Sequence, residues 1–134
     1  MTDLAQHQPT RAPQSPESPA VRQVRRYYQL VDDGDVPGLV DLFTPTGTYH
    51  RPGYEPLVGR AEVEGFYRAT RVIRTGRHTL NTVLATGDEV AVHGEFHGVL
   101  NDGSEVGLRF ADFFRLTPEC RFSRRDTFFF APLV

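Results

Sequence analysis

The sequence contains no lysine, because all fifteen of its basic residues are arginines. No side chain can therefore form a Schiff base, and none offers a compact ammonium to a phosphate. Cysteine occurs once, at Cys120. That excludes an intramolecular disulfide and a thiolate metal cage, and it suits a reducing cytoplasm, where we expect the protein to reside. No apolar run approaches the ~18 residues of a membrane span, and the first residues lack the regions of a signal peptide. Basic excess is missing too. The arginines face seventeen acidic residues, for a net charge of −2 and a pI near 6.2, and no basic block could track a phosphate backbone. Neither nucleic acid nor a membrane is an expected partner. A phosphate loop, a dinucleotide fingerprint and a serine-nucleophile elbow are likewise missing, so chemistry without a cofactor is expected.

What is present fits one domain: 134 residues, of which 39% are hydrophobic and 24% charged. Residues 1–20 are rich in proline, glutamine and serine, with little to bury, and are expected to form a disordered leader to a domain over 21–134. Val21, Val24, Tyr28 and Val31 then recur at helical spacing, opposite Arg22, Arg25 and Arg26. Asp33-Gly34-Asp35 closes this helix. Asp35 caps a second, which tolerates Pro37 in its first turn and presents Leu39, Leu42 and Phe43. Thr46 to His50 reads as a short strand, 51–56 as a proline-glycine loop, and Ala61 to Ile73 as a third helix. Four β-rich runs follow, at 78–85, 89–100, 104–116 and 122–130, separated by turn signals. The fold class is α+β, with a curved, mostly antiparallel sheet wrapped around three N-terminal helices.

Asp112 is the sharpest chemical signal. It shares strand parity with Val106, Leu108, Phe110, Phe114 and Leu116, so a carboxyl group stands in an apolar row. Desolvation there favours the neutral form and suits a general acid or a base poised near neutrality. The competing reading is a structural aspartate satisfied by a buried arginine or a backbone amide. His78 heads the row His78, Leu80, Thr82, Leu84. It either complements Asp112 across a pocket or is tied to the chain at a strand end. His50 is a candidate base, and Arg51 beside it could hold an anionic substrate or anchor the loop. Tyr27 and Tyr28 compete for one role, since periodicity favours Tyr28 for the core while either phenol could donate a hydrogen bond inward. Asp126 lies in Arg124-Arg125-Asp126-Thr127-Phe128, where the phenylalanines at 128–130 conceal the strand's parity. A salt bridge to a neighbouring arginine competes with a catalytic role. His93, Glu95 and His97 alternate on one strand, but that face reads as the outer one, and no metal is expected.

Three stretches together resemble the SnoaL-like proteins of the nuclear transport factor 2-like superfamily. They are Asp33-Gly34-Asp35 with Leu42-Phe43, the run Tyr49 to Arg60 through Arg51-Pro52-Gly53-Tyr54-Glu55-Pro56, and Phe110-Ala111-Asp112-Phe113-Phe114 with Arg125-Asp126-Thr127-Phe128. The resemblance implies a cone-shaped barrel enclosing one deep pocket, usually in a homodimer made through the outer sheet face. It places Asp112 where ketosteroid isomerases carry the acid of the oxyanion hole, a protonated aspartate. It matches Tyr27 to their oxyanion tyrosine, and puts Arg51, preceded by His50, at the position of their catalytic base. Asp126 with Asp112 and Arg109 or Arg125 is similar to the Asp-Arg-Asp set of limonene-type epoxide hydrolases. The activity implied is acid/base chemistry on a small, apolar, polyketide-like substrate: cyclisation, dehydration or isomerisation, with epoxide opening or non-catalytic binding as alternatives. On this reading Asp112, His78, His50, Tyr27 and Asp126 are catalytic candidates, and Arg51, Tyr28, Tyr49, Tyr54, Phe110, Phe114 and Arg125 line the substrate site.

Overall fold

Ser18 starts the first helix by accepting a hydrogen bond from the Val21 amide, with proline in the first turn. The structure is a computed structural model and describes residues 17–130. Of the leader expected over 1–20, residues 1–16 lie outside the described residues, whereas Ser18 to Ala20 form the cap and first turn of a helix. Helix α1 (Pro19–Asp33) buries Val21, Val24, Tyr27, Tyr28, Leu30 and Val31 and ends at Gly34, whose φ of 74° supplies the left-handed cap. Asp35 then caps α2 (Val36–Asp41) through the Gly38 amide at 2.9 Å. This helix is shorter than expected, and Phe43 opens β1 (Phe43–His50) instead of closing the helix face.

Two further boundaries differ from the sequence reading. Leu57–Val58 forms a short strand, β2, against β1, and the third helix stops short of Ile73. It runs as α3 (Arg60–Gly65), widens into a π-helical turn over Phe66–Thr70, and gives way to β3 (Ile73–Thr86). The Arg71 amide bonds the Phe66 carbonyl at 2.8 Å, the i→i+5 spacing of a π turn. Val72, Ile73 and Thr75, all β-branched, favour the strand that follows. Strands β4 (Glu89–Leu100), β5 (Glu105–Leu116) and β6 (Phe122–Phe130) complete a six-stranded sheet in the order β2-β1-β6-β5-β4-β3. The four late strands pair antiparallel as expected, whereas β1 pairs parallel to β6. The α+β class stands, but the sheet is not closed, since β2 and β3 are free edges.

The core forms between the helices and one face of this sheet. Phe110, Asp112, Phe114 and Leu116 of β5 are buried on that inner face, as their parity requires. Register shifts alter the parity elsewhere. In β3, Asn81 is the extra residue between Leu80 and Thr82, so the row from His78 does not continue to Leu84, which is 64% exposed. In β6, Ser123 is extra, and this turns Arg125 and Thr127 inward and Arg124 and Asp126 outward. The outer face carries exposed Phe113, Phe128 and Phe130, along with His93 and His97. Among the described residues no helix is long and apolar enough to cross a membrane.

Candidate active site

A cavity of about 230 Å³ opens on the inner face of the sheet. Val31, Phe96, Leu100, Val106, Leu108, Phe110 and Phe129 form its apolar wall, and Tyr28, Tyr49, Arg51, Tyr67, Arg71, His78, Arg125 and Thr127 supply polar groups. A mostly apolar pocket with a few convergent polar groups is the usual form of a small-molecule site.

Beneath the cavity lies a buried ion pair, of which the arginine borders the cavity. Arg125 donates from Nη2 to Asp112 Oδ2 at 2.8 Å, and the Tyr28 and Thr127 hydroxyls donate to the same carboxyl group. From Nη1, Arg125 also donates to the hydroxyls of Tyr27 at 2.8 Å and Tyr67 at 3.2 Å, which lie 2.5 Å apart. Its guanidinium carbon sits 4.4 Å from the centroid of the Tyr49 ring. Burial opposes the arginine's charge, but Asp112 and then the surrounding phenol oxygens outweigh it and hold the pKa well above the ordinary arginine value. Asp112 is wholly buried and does not line the cavity. It reaches the cavity only through Arg125, Thr127 and Tyr28, which is the geometry of a structural aspartate satisfied by a buried arginine.

His78 presents a different arrangement. Its Nδ1 lies 2.6 Å from Asp32 Oδ1, and its backbone amide donates to Asp32 Oδ2 at 2.9 Å, so the carboxyl group grips both strand and ring. Phe96 packs on the ring at a centroid distance of 4.7 Å. Gly76 and Gly98 leave room for that phenylalanine, since a Cβ at either would meet it at 2.1 or 2.7 Å. Burial pushes the imidazole below the ordinary histidine pKa, opposed by Asp32 and reinforced by the charges of Arg125 and Arg71. The ring is thus neutral at pH 7. With the Nδ1 proton directed at Asp32, the lone pair resides on Nε2, which has no hydrogen-bond partner among the described residues. A histidine oriented by a carboxyl group, with its second nitrogen unengaged at a cavity wall, is built to accept a proton.

Tyr49 supplies the complementary donor. Its hydroxyl accepts from Arg51 Nη1 at 3.3 Å and donates to no acceptor among the described residues. Burial raises its pKa, against the opposing charge of Arg125, so it keeps its proton at neutral pH.

The structure therefore gathers Tyr28, Tyr49, Arg51, His78, Phe110 and Arg125 at one cavity. It does not bring the other candidates to it. Tyr27 is buried behind the wall, hydrogen-bonded to Tyr67 and Arg125. Phe114 packs in the core against Tyr27 and Phe122, and Tyr54 packs edge-on to Phe66. His50 and Asp126 are paired in register on β1 and β6 and face outward. Nδ1 of His50 lies 3.2 Å from Asp126 Oδ1 but out of hydrogen-bond alignment, while Arg124 Nε donates to both Asp126 oxygens at 3.0 and 3.1 Å. Asp126 and Asp112 thus lie on opposite faces of the sheet. Sequence reasoning missed Asp32, Tyr67, Arg71 and Thr127. Asp32 stands four residues after Tyr28, one helical turn along the same face, but adjoins a turn signal that explains an aspartate by itself.

A helix-backed, open mixed sheet with a buried Asp112–Arg125 ion pair beneath a mostly apolar cavity defines the class, and comparison with known proteins names the family. The SnoaL-like domain matches over residues 24–124, and the chain belongs to that family. No curated protein matches it. Among solved structures it is similar to an NTF2-like protein of unknown function from Burkholderia pseudomallei, with a TM-score of 0.77, 21% identity and coverage of 84% of this chain and 92% of that one. SalBIII, described as an epoxide hydrolase/cyclase-like enzyme in pyran ring formation in the polyether salinomycin, gives 0.73 and 24%, covering 82% and 89%. TerC, co-crystallised with polyporic acid, gives 0.74 and 21%, covering 84% and 92%. At these identities the likeness establishes the NTF2-like fold.

Proposed function

We propose that this protein is an acid/base enzyme that cyclises, dehydrates or isomerises a small, largely apolar hydroxy-carbonyl compound of polyketide type. The observation that carries this reading is the Asp32–His78 pair, at 2.6 Å, on the wall of the cavity. In ring closure, Nε2 of His78 takes the proton of a substrate hydroxyl while its oxygen adds to the β-carbon of an enone. The displaced π-electrons reach the carbonyl oxygen, where the Tyr49 hydroxyl donates a hydrogen bond. The imidazolium then returns the proton to the α-carbon. In dehydration the proton comes from the α-carbon and leaves with the β-hydroxyl as water. Both reactions need one base, one oxyanion donor and an apolar enclosure. The likeness to SalBIII supports ring closure as the favoured member of this set.

Epoxide opening by paired aspartates has less support, because Asp126 faces away from the cavity. The exposed Phe113, Phe128 and Phe130 favour the outer face for the expected self-association. The test of the reading is incubation of the protein with β-hydroxyketones, hydroxy-enones and simple epoxides in D2O, with products followed by NMR and mass spectrometry. Turnover of the hydroxy-carbonyl compounds, with deuterium at the α-carbon, is the expected result. Turnover of epoxides alone would overturn it.

A further inference from the structure

Of two further cavity arginines, Arg51 touches the chemistry above only through its 3.3 Å hydrogen bond to Tyr49, and Arg71 takes no part in it. Arg51 and Arg71 are half-buried, and neither forms an ion pair among the described residues. Their Nε atoms are both buried without an acceptor. Arg51 is held by aromatic rings, with its guanidinium carbon 4.9 Å from the Phe66 centroid, 5.2 Å from Phe129 and 5.5 Å from Tyr54. Arg71 lies 5.3 Å from the Tyr67 centroid. Such rings fix a guanidinium in place and supply no counter-charge. The acidic groups nearby are committed elsewhere. Asp112 is paired with Arg125, Asp32 is taken by His78, and Asp126 is on the other face. Arg71 also borders a neighbouring hollow with Asp32 and Asp33, but forms no ion pair with either. Two half-buried planar cations without a counter-charge, at a cavity whose other polar groups are phenols, a threonine, a neutral imidazole and an arginine already paired, form a site suited to an anion.

We propose that the substrate carries an anionic oxygen group, a carboxylate or an acidic enolate, which Arg51 and Arg71 bind while the apolar body fills the cavity toward His78. This rests on the acid/base reading for the orientation of the substrate but not for the binding of the anion. Arginine suits the task because its planar fork meets two oxygens at once, whereas a lysine would offer a point charge. Arg51 packs on Phe66 and Arg71 on Tyr67, the first two residues of the π-helical turn that Arg71 closes.

The test uses 2-naphthoate and its neutral counterpart 2-naphthamide as probes, titrated into the full-length protein by calorimetry. Wild type is expected to bind the carboxylate at least about tenfold more tightly than the amide, with a preference that weakens as salt is raised. Arg51→Gln and Arg71→Gln should each reduce that preference and the double variant abolish it, while Arg51→Lys retains part of it, separating lost charge from lost packing. Wild type showing no preference for the anion, or binding neither probe, overturns the inference, as does an unchanged preference in the folded double variant. His78→Gln should keep the preference intact. Failure of the acid/base reading would instead show as absent turnover with anion binding preserved.

Discussion

Asp32 and His78, forty-six residues apart in the chain, meet with the carboxyl group bridging the imidazole Nδ1 and the backbone amide of the same residue. One aspartate at the end of α1 thereby fixes both the position of β3 and the tautomer of its histidine. A ring held this way presents Nε2 in one orientation, which is the condition for a general base to act without reorganising.

Asp32→Asn tests that relationship. An amide can offer Nδ1 a donor as readily as an acceptor, and the ring loses the interaction that selects the Nδ1–H tautomer. We expect kcat on the substrate class identified above to fall by about 10²-fold or more, with the fold retained. Circular dichroism alongside steady-state kinetics checks both parts.

The pH dependence follows from the depressed pKa of His78. A base works in its neutral form, so kcat/KM should be level near neutrality and decline only below the ordinary histidine value of about 6.5. Nitrogen-15 NMR of the labelled imidazole should show Nδ1 protonated and Nε2 unprotonated at pH 7. A pKa above the ordinary value would contradict the burial argument.

Asp112→Asn should act on stability before it acts on chemistry. It leaves a wholly buried guanidinium without its counter-charge, a loss of about 3–5 kcal/mol for a broken buried pair. The double replacement Asp112→Leu with Arg125→Met should cost less than the sum of the single changes. Chemical denaturation of wild type, Asp112→Leu, Arg125→Met and the double variant measures the coupling, with Asp112→Asn measured beside them.

If the outer face joins two copies, Phe113→Glu with Phe128→Glu should leave a folded monomer. The two rings pack edge-to-face at 5.9 Å and are about half exposed, so charge there is tolerated within the monomer but not at an apolar interface. Light scattering across a concentration series reads the result.

Much of the architecture was legible in the sequence because hydrophobic periodicity and turn residues act locally. Asp35 caps the helix it should, and the row through Phe110, Asp112 and Phe114 is buried. The failures are non-local or involve one extra residue. Nothing in 122–130 signals the bulge at Ser123, yet it decides that Arg125 faces in and Asp126 out. The same holds for Asn81, which breaks the row started by His78. Asp112 stood out as a lone carboxyl group among apolar neighbours, and its partner could not be chosen among fifteen arginines without the strand register. Asp32 was obscured for the opposite reason, since an aspartate before a glycine turn already has a local explanation.

The most direct measurement is the turnover of His78→Gln beside wild type, at equal folded concentration, on the hydroxy-carbonyl substrate that wild type converts best. Glutamine keeps a polar side chain on the strand but cannot accept a proton near neutrality. The account predicts that kcat falls by about 10²–10⁴-fold while binding of the substrate is largely kept. A His78→Gln protein that turns over at the wild-type rate would contradict it.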